Sequence, residues 1–259
     1  MTLSSTESPA VALAVFLDID GTLLDFAETP DAVVVPAHLP GLLMRMQQRF
    51  DGAVALVSGR TIDWIDTTFA PARLACAGEH GAAWRLSPAD TVERAEPPAW
   101  LARLDGAATR TIEAWPGIVL ERKPSSLAIH YRRSPELAGR VEAAVAEIAA
   151  DLGPGVELLR GNHVLELRMR GATKGAAVER FMAVPPFAGR VPVMVGDDVT
   201  DEDGFRAARA LGGFAIGVGP RESALANGHL RDPLAVHAWL AALVERAASP
   251  ALAGAPEGH

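Results

Sequence analysis

Short unbroken apolar runs that stop at polar residues alternate along this chain with segments whose apolar positions recur every three or four residues. Val11 to Leu17 is one such run, ending at Asp18 and Asp20. Ala53 to Val57 stops at Ser58 and Gly59, and a third run crosses Arg73 to Gly81. Val191 to Val195 stops at Gly196, Asp197 and Asp198, and Gly212 to Gly219 is one more. Leu39 to Phe50, Thr61 to Phe69, the segment opened by Thr173-Lys174-Gly175, and Pro233 to Arg246 read as helices. Unalternated strands separated by helices predict an α/β fold with a parallel sheet covered on both faces. Such sheets bind ligands at the carboxyl ends of their strands. Three strands end there in residues able to do chemistry: Asp18 with Asp20, Ser58, and Asp197 with Asp198.

The middle of the chain differs. Residues 100–115 and Pro135 to Asp151 read as helices. Ile118 to Lys123 and Ser126 to Arg133 read as antiparallel strands around a turn at Lys123-Pro124-Ser125, and 156–170 as a hairpin turning at Gly161-Asn162. This α+β stretch, residues 87–169, is expected to form a separate domain inserted in a discontinuous core of residues 1–86 and 170–259. The joints near Ser87 to Ala89 and Met169 to Ala172 are expected to act as hinges. The first ten residues and the tail from Ser249 carry no such pattern and are expected to fray.

Composition narrows the function. Over 259 residues, 49% are apolar and 22% charged, an ordinary globular balance. A formal charge of −8 argues against a nucleic-acid or anionic-membrane surface, so neither partner is expected. The lone Cys76 excludes an intrachain disulfide framework and a multi-cysteine zinc site. No apolar run approaches the roughly 18 residues of a membrane span, and the N-terminus has no basic leader, so a cytoplasmic home is expected. Trp84, Trp100, Trp115 and Trp239, in apolar contexts, are expected in the core.

The motifs suggest phosphoryl transfer. Asp18-Ile19-Asp20-Gly21-Thr22 starts two carboxylates on one face of a strand end, and Gly21 permits a tight exit. One carboxylate can attack phosphorus while the other handles the leaving group's proton. The acidic cluster Asp197, Asp198 and Asp201 suits a hard cation, Mg²⁺ first beside phosphate, although it also reads as a helix start capped by Thr200. Ser58 can hold phosphoryl oxygens or sit in an ordinary turn. Lys174 opposes a helix macrodipole, which hints at an anionic partner, but also reads as a solvated surface lysine. No P-loop, dinucleotide fingerprint, nucleophile elbow or H-E-x-x-H motif is present.

These pieces, in this order, resemble the haloacid-dehalogenase-like phosphatases, whose C2-type cap the inserted stretch resembles. Gly78-Glu79-His80-Gly81, Glu121-x-Lys123, His130-Tyr131-Arg132, Leu165-Glu166-Leu167, Lys174-Gly175 and Gly196-Asp197-Asp198-x-Thr200-Asp201-Glu202 resemble the trehalose-6-phosphate phosphatases over nearly the whole chain. The resemblance implies a Rossmann-like core and a Mg²⁺-dependent hydrolase acting on trehalose 6-phosphate. Asp18 would be the nucleophile and Asp20 the acid and base. Mg²⁺ would bind Asp18, the Asp20 carbonyl and Asp197, with Asp198 and Asp201 orienting ligands or waters. Ser58 and Lys174 would hold the phosphoryl group. Glu121, Lys123 and Glu166 would bind glucose hydroxyls with Arg132 nearby, and Glu79, His80 and Gly81 would line the sugar side. A monomer is expected, functionally coupled to a separate trehalose-6-phosphate synthase.

From periodicity alone, Glu121, Lys123 and Glu166 also read as the salt-bridged solvent face of a sheet. Other sugar-phosphate phosphatases, acting on sucrose 6-phosphate or glycosyl-phosphoglycerates, would share the same core. A phosphomutase would need an intermediate that reorients. A silent binding domain on this fold would have lost Asp18, Asp20, Lys174 or Asp197, and all four are present.

Overall fold

The computed structural model describes residues 12–26, 33–96, 98–161 and 163–246. Both tails and Asn162 of the expected hairpin turn lie outside the described residues. In chain order the elements are β1 (Leu13–Leu17), α1 (Leu39–Arg49), β2 (Val54–Val57), α2 (Ile62–Thr68), β3 (Ala75–Gly78), β4 (Ala83–Arg85), β5 (Glu93–Arg94) and α3 (Leu101–Thr111). These are followed by β6 (Val119–Arg122), β7 (Ser126–His130), α4 (Ala138–Leu152), β8 (Val156–Gly161), β9 (Val164–Met169) and α5 (Lys174–Met182). The chain closes with β10 (Val191–Gly196), α6 (Glu202–Ala210), β11 (Phe214–Val218), β12 (Gly228–Leu230) and α7 (Pro233–Arg246).

The larger sheet has the order β12-β11-β10-β1-β2-β3-β4-β5. It is parallel from β12 to β3, and β4 and β5 add antiparallel. β1 is central and buried from Ala14 to Leu17, as expected of a strand covered on both faces. Phe16 packs against Phe181 of α5 and against Phe187, with ring centroids 5.9 and 5.5 Å away. α1 turns Leu39, Leu42, Leu43 and Met46 inward at helical spacing. Thr61 and Thr173 cap α2 and α5 by accepting from the backbone N–H groups of Trp64 and Ala176.

The smaller sheet, β6-β7-β9-β8, is wholly antiparallel. Its alternation is strict. Leu127, Ile129, Leu165 and Leu167 pack with Leu104 and Ile112 of the α3 region and with Val141 and Val145 of α4. Their neighbours Ala128, His130, Val164 and Glu166 face a cavity instead. Among the described residues no helix is long and apolar enough to cross a membrane.

Two local expectations are corrected. The four tryptophans do pack against the two apolar clusters but stay only half-buried. Trp84 and Trp115 lie at rims, beneath the guanidinium groups of Arg180 and Arg140 at 3.8 and 4.1 Å. An indole at a core edge can cover apolar surface with one face and meet a cation with the other. The turn after β10 is capped by Asp198, which accepts from Val199 N in a capping box with Asp201, and Thr200 lies inside that turn. A carboxylate faces the backbone N–H groups more effectively than the hydroxyl two residues later.

Candidate active site

The ends of β1, β2 and β10 meet because the strands are hydrogen-bonded neighbours. Leu17 pairs with Val195 on one side and Leu56 on the other. Asp18 follows at once, 3% exposed, its N–H donating to the Val195 carbonyl. Its carboxylate accepts from Lys174 Nζ at 2.6 Å and from the Thr22 hydroxyl at 3.1 Å. Lys174 Nζ also donates to Asp201 Oδ1 at 2.6 Å, and Asp201 Oδ2 accepts from the N–H groups of Asp197 and Asp198. The buried Lys174 is therefore not a surface lysine: its position at the start of α5 is matched by two carboxylates.

Oxygens of Asp18, Asp197 and Asp201 lie within 4.8 Å of one another. Burial, and then Asp201, push Asp18 well above the ordinary carboxylate range and Asp197 up to about 7. Burial alone would lower Lys174, but Asp18 and Asp201 outweigh it and keep the ammonium protonated. An all-oxygen set whose charges repel fits a hard divalent cation such as Mg²⁺. Gly21, at φ 83°, lets the chain pass beneath Asp197; a Cβ there would lie 2.2 Å from Asp197 Oδ2.

Asp20 shares the cavity with Asp18 but has a different partner. Arg60 grips it bidentately, Nε to Oδ2 at 2.8 Å and Nη2 to Oδ1 at 2.6 Å, while the guanidinium rests 4.3 Å above the Trp64 ring. Buried Ser58 accepts from Arg60 N at its hydroxyl. Arg60 was legible only as the last residue of Ser58-Gly59-Arg60, with nothing to say where its side chain points.

The smaller sheet supplies the roof. Its register aligns Glu121, Ala128, Glu166 and Leu159 in one row across four strands, and all four line the cavity. Glu166 Oε1 accepts from Lys123 Nζ at 3.0 Å and from the Ser126 hydroxyl at 2.6 Å, and its Oε2 meets His80 Nε2 at 3.2 Å. Burial would raise Glu166, yet Lys123 and His80 hold it well below the ordinary range. Burial lowers His80, and because a carboxylate only accepts, its Nε2 is the donor of this pair. Glu121 pairs with His130 at 2.8 Å. Lys123 and Glu166 are each 8% exposed, so this is not a solvated sheet face.

The cavity encloses about 410 Å³, within the ~300–1,000 Å³ common for small-molecule sites. Of the residues singled out in the sequence, Asp18, Asp20, Ser58, His80, Glu121, Lys123, Arg132, Glu166, Lys174, Asp197 and Asp198 line it. Asp201 sits below the floor, holding Lys174. Glu79 does not line it, because its carboxylate is engaged by Arg94 and Ser125. Gly81 packs instead against Thr173. Arg221, paired with Glu202, completes the far rim and carried no sequence signal of its own.

A family profile described as trehalose-phosphatase matches residues 16–228. The chain is 44% identical over 207 residues to a probable trehalose-phosphate phosphatase of Sinorhizobium fredii, covering 80% of this chain and 78% of that one. It is 37% identical over 221 residues to the trehalose-6-phosphate phosphatase of Escherichia coli, covering 85% and 83%. The C-terminal domain of Candida albicans trehalose-6-phosphate phosphatase shares the fold, with a TM-score of 0.78 at 24% identity over 90% of this chain and 91% of that one.

Proposed function

The chain belongs to the trehalose-phosphatase family, and from that premise we propose that it hydrolyses trehalose 6-phosphate to trehalose and phosphate through an aspartyl-phosphate, with Mg²⁺ as cofactor. It is a phosphoric monoester hydrolase on a haloacid-dehalogenase-type α/β core. One observation carries the finer reading. A single cavity has the Asp18–Lys174 pair in its floor and Glu121, Lys123 and Glu166 in its roof, so a phosphorylated sugar can reach both at once.

The chemistry follows from the floor. Asp18 is the buried carboxylate at the strand end, and it lines the cavity. It attacks phosphorus, and the bond to the sugar oxygen breaks. Asp20 gives that oxygen a proton, then takes one from the water that cleaves the acyl-phosphate. For this it must part from Arg60, whose guanidinium grips both of its oxygens. Lys174 and Ser58 hold the phosphoryl oxygens, and Asp201 fixes Lys174 in place. Asp18, the Asp20 carbonyl and Asp197 would hold Mg²⁺, which supplies neutralisation of the charge that gathers when an anionic nucleophile meets an anionic ester.

The roof reads the sugar. Trehalose offers many hydroxyls and little apolar surface, and the roof offers two carboxylates and an ammonium, already desolvated and aligned. Residues 87–169 act in this reading as the cap, over a core of 1–86 and 170–259, with β5 still paired to the larger sheet. Because a synthase must supply the substrate, functional coupling to one is part of the same proposal. The decisive experiment is phosphate release from trehalose 6-phosphate, sucrose 6-phosphate, glucose 6-phosphate and p-nitrophenyl phosphate, with Mg²⁺ and with chelator. Preference for another sugar, or full activity in chelator, overturns the corresponding part of the reading.

A further inference from the structure

Glu79 and His80 follow β3 in consecutive left-handed conformations, φ 52° and 57°, and Gly81 continues at 105°. Side-chain-bearing residues stay in that region only where surrounding contacts hold them. The contacts here run from the larger sheet to the smaller one. Glu79 Oε2 accepts from Ser125 N at 3.0 Å and from the Ser125 hydroxyl at 2.5 Å, and Oε1 accepts from Arg94 Nη1 at 2.9 Å. The Glu79 side chain is 1% exposed. Its neighbour His80 meets Glu166 on β9. Ser125 lies in the turn between β6 and β7, two residues after Lys123 and just before Ser126, and both of these donate to Glu166.

We propose that Glu79 is a positioning residue: its carboxylate clasps the β6–β7 turn to the core, and so sets Lys123 and Glu166 above Asp18. The sugar is then read by residues whose placement depends on a carboxylate that does not line the cavity. This rests on the trehalose 6-phosphate reading. The chemistry of the clasp suits the task. A carboxylate receiving a backbone N–H and a hydroxyl from one residue fixes both the position and the orientation of that residue. Arg94 meanwhile neutralises the charge, which would otherwise be too costly to bury. A loosened clasp lowers the fraction of protein with the roof in place. Apparent affinity falls by that fraction, while a saturating substrate draws the roof back and spares turnover.

The test uses the full chain with Glu79→Ala, Ser125→Ala and the double variant. Glu79→Ala is expected to raise KM for trehalose 6-phosphate about 10- to 150-fold, the range of lost hydrogen bonds to a charged group, with kcat changed less than about threefold. Ser125→Ala, which keeps its N–H, should raise KM several-fold in the native background and add nothing to Glu79→Ala. Its hydrolysis of p-nitrophenyl phosphate should stay unchanged. If Ser125→Ala is silent while Glu79→Ala is damaged, or if Glu79→Ala loses both substrates equally, the clasp is wrong. Amide hydrogen exchange in the segment from Lys123 to Ser126 gives a readout independent of substrate. It should quicken in Glu79→Ala while β1 and β10 stay protected, and equal rates overturn the proposal even if the sugar proves to be another.

Discussion

Lys174 Nζ lies 2.6 Å from Asp18 Oδ1 and 2.6 Å from Asp201 Oδ1, so one buried ammonium ties the end of β1 to the turn after β10. Replacing it leaves Asp18, Asp197 and Asp201 facing one another with no protein cation between them. Breaking a buried ion pair from one side costs roughly 3–5 kcal/mol, and removing a fixed positive donor from a reacting centre costs about 10²–10³ in kcat. Lys174→Met is expected to show both losses in thermal denaturation and phosphate release. A variant with native kcat would remove the lysine from the reaction.

Asp18→Asn should abolish turnover, because an amide cannot form the acyl-phosphate. Asp20→Asn should slow both halves of the reaction, by about 10²–10⁴ for a lost acid–base group. Rapid quenching with labelled substrate should find label on protein in the Asp20 variant and none in the Asp18 variant. Label in both would place the nucleophile elsewhere.

The acidic cluster makes stability depend on pH in a definite direction. Asp197 is held up to about 7 and Asp18 well above its ordinary range, in both cases by burial first and Asp201 second. Carboxyls raised in the folded state stabilise it while protonated, and that contribution is lost as pH climbs from the carboxylate range through about 7. Above about pH 6.5, where the lowered His80 and His237 add no opposing trend, metal-free protein should therefore lose melting temperature as pH rises to ~8. Glu166, held well below its ordinary range, gives the opposite trend only in stronger acid. Mg²⁺ must displace the same protons, so its affinity should weaken as the pH drops below about 7. A melting temperature that rises with pH across this interval in chelator would contradict the assignment.

Gly21→Ala places a methyl group 2.2 Å from Asp197 Oδ2 and asks alanine to hold φ 83°. The strain is worth roughly 1–3 kcal/mol, and Asp197 must move. Activity should fall while the variant still folds, with Mg²⁺ affinity falling alongside it. Calorimetric titration with Mg²⁺ separates this from simple unfolding, and unchanged affinity would count against Asp197 as a ligand.

Glu121→Ala and Glu166→Ala should harm trehalose 6-phosphate far more than p-nitrophenyl phosphate. Each lost hydrogen bond to a charged group corresponds to about 10- to 150-fold in kcat/KM, and binding energy remote from phosphorus affects kcat as well as KM. Ratios of kcat/KM for the two substrates decide the matter. Equal losses would make these residues supports of the sheet.

Asp18, Ser58 and Asp197 could be read as one constellation because each ends an apolar run, and parallel neighbours bring such ends together. The row Glu121, Ala128, Glu166 is likewise a consequence of period-two alternation. What stayed hidden was set by contacts between distant segments. β4, β5 and β12 are three, two and three residues long, too short for any periodicity. Arg60 gave no sign that it would turn to Asp20, because side-chain direction at a strand end depends on the packing of Trp64 beneath it. Glu79 matched the family pattern, but two left-handed residues aim it at Ser125, and no local pattern announces that backbone. Asp198 is the same residue type as Asp197 and its neighbour in the motif, yet its carboxylate caps the turn by accepting from Val199 N.

The two sheets are stabilised by separate apolar clusters with no side chain in common among the described residues. Leu127 and Val145 belong to one cluster and Phe16 and Phe181 to the other, and among the described residues no apolar side chain is shared between them. Inheritance can therefore act on the two halves independently. On the proposed reading, changes in the roof would retune which sugar is accepted while sparing the floor, and the polar clasps Glu79–Ser125 and His80–Glu166 are where such drift would meet resistance.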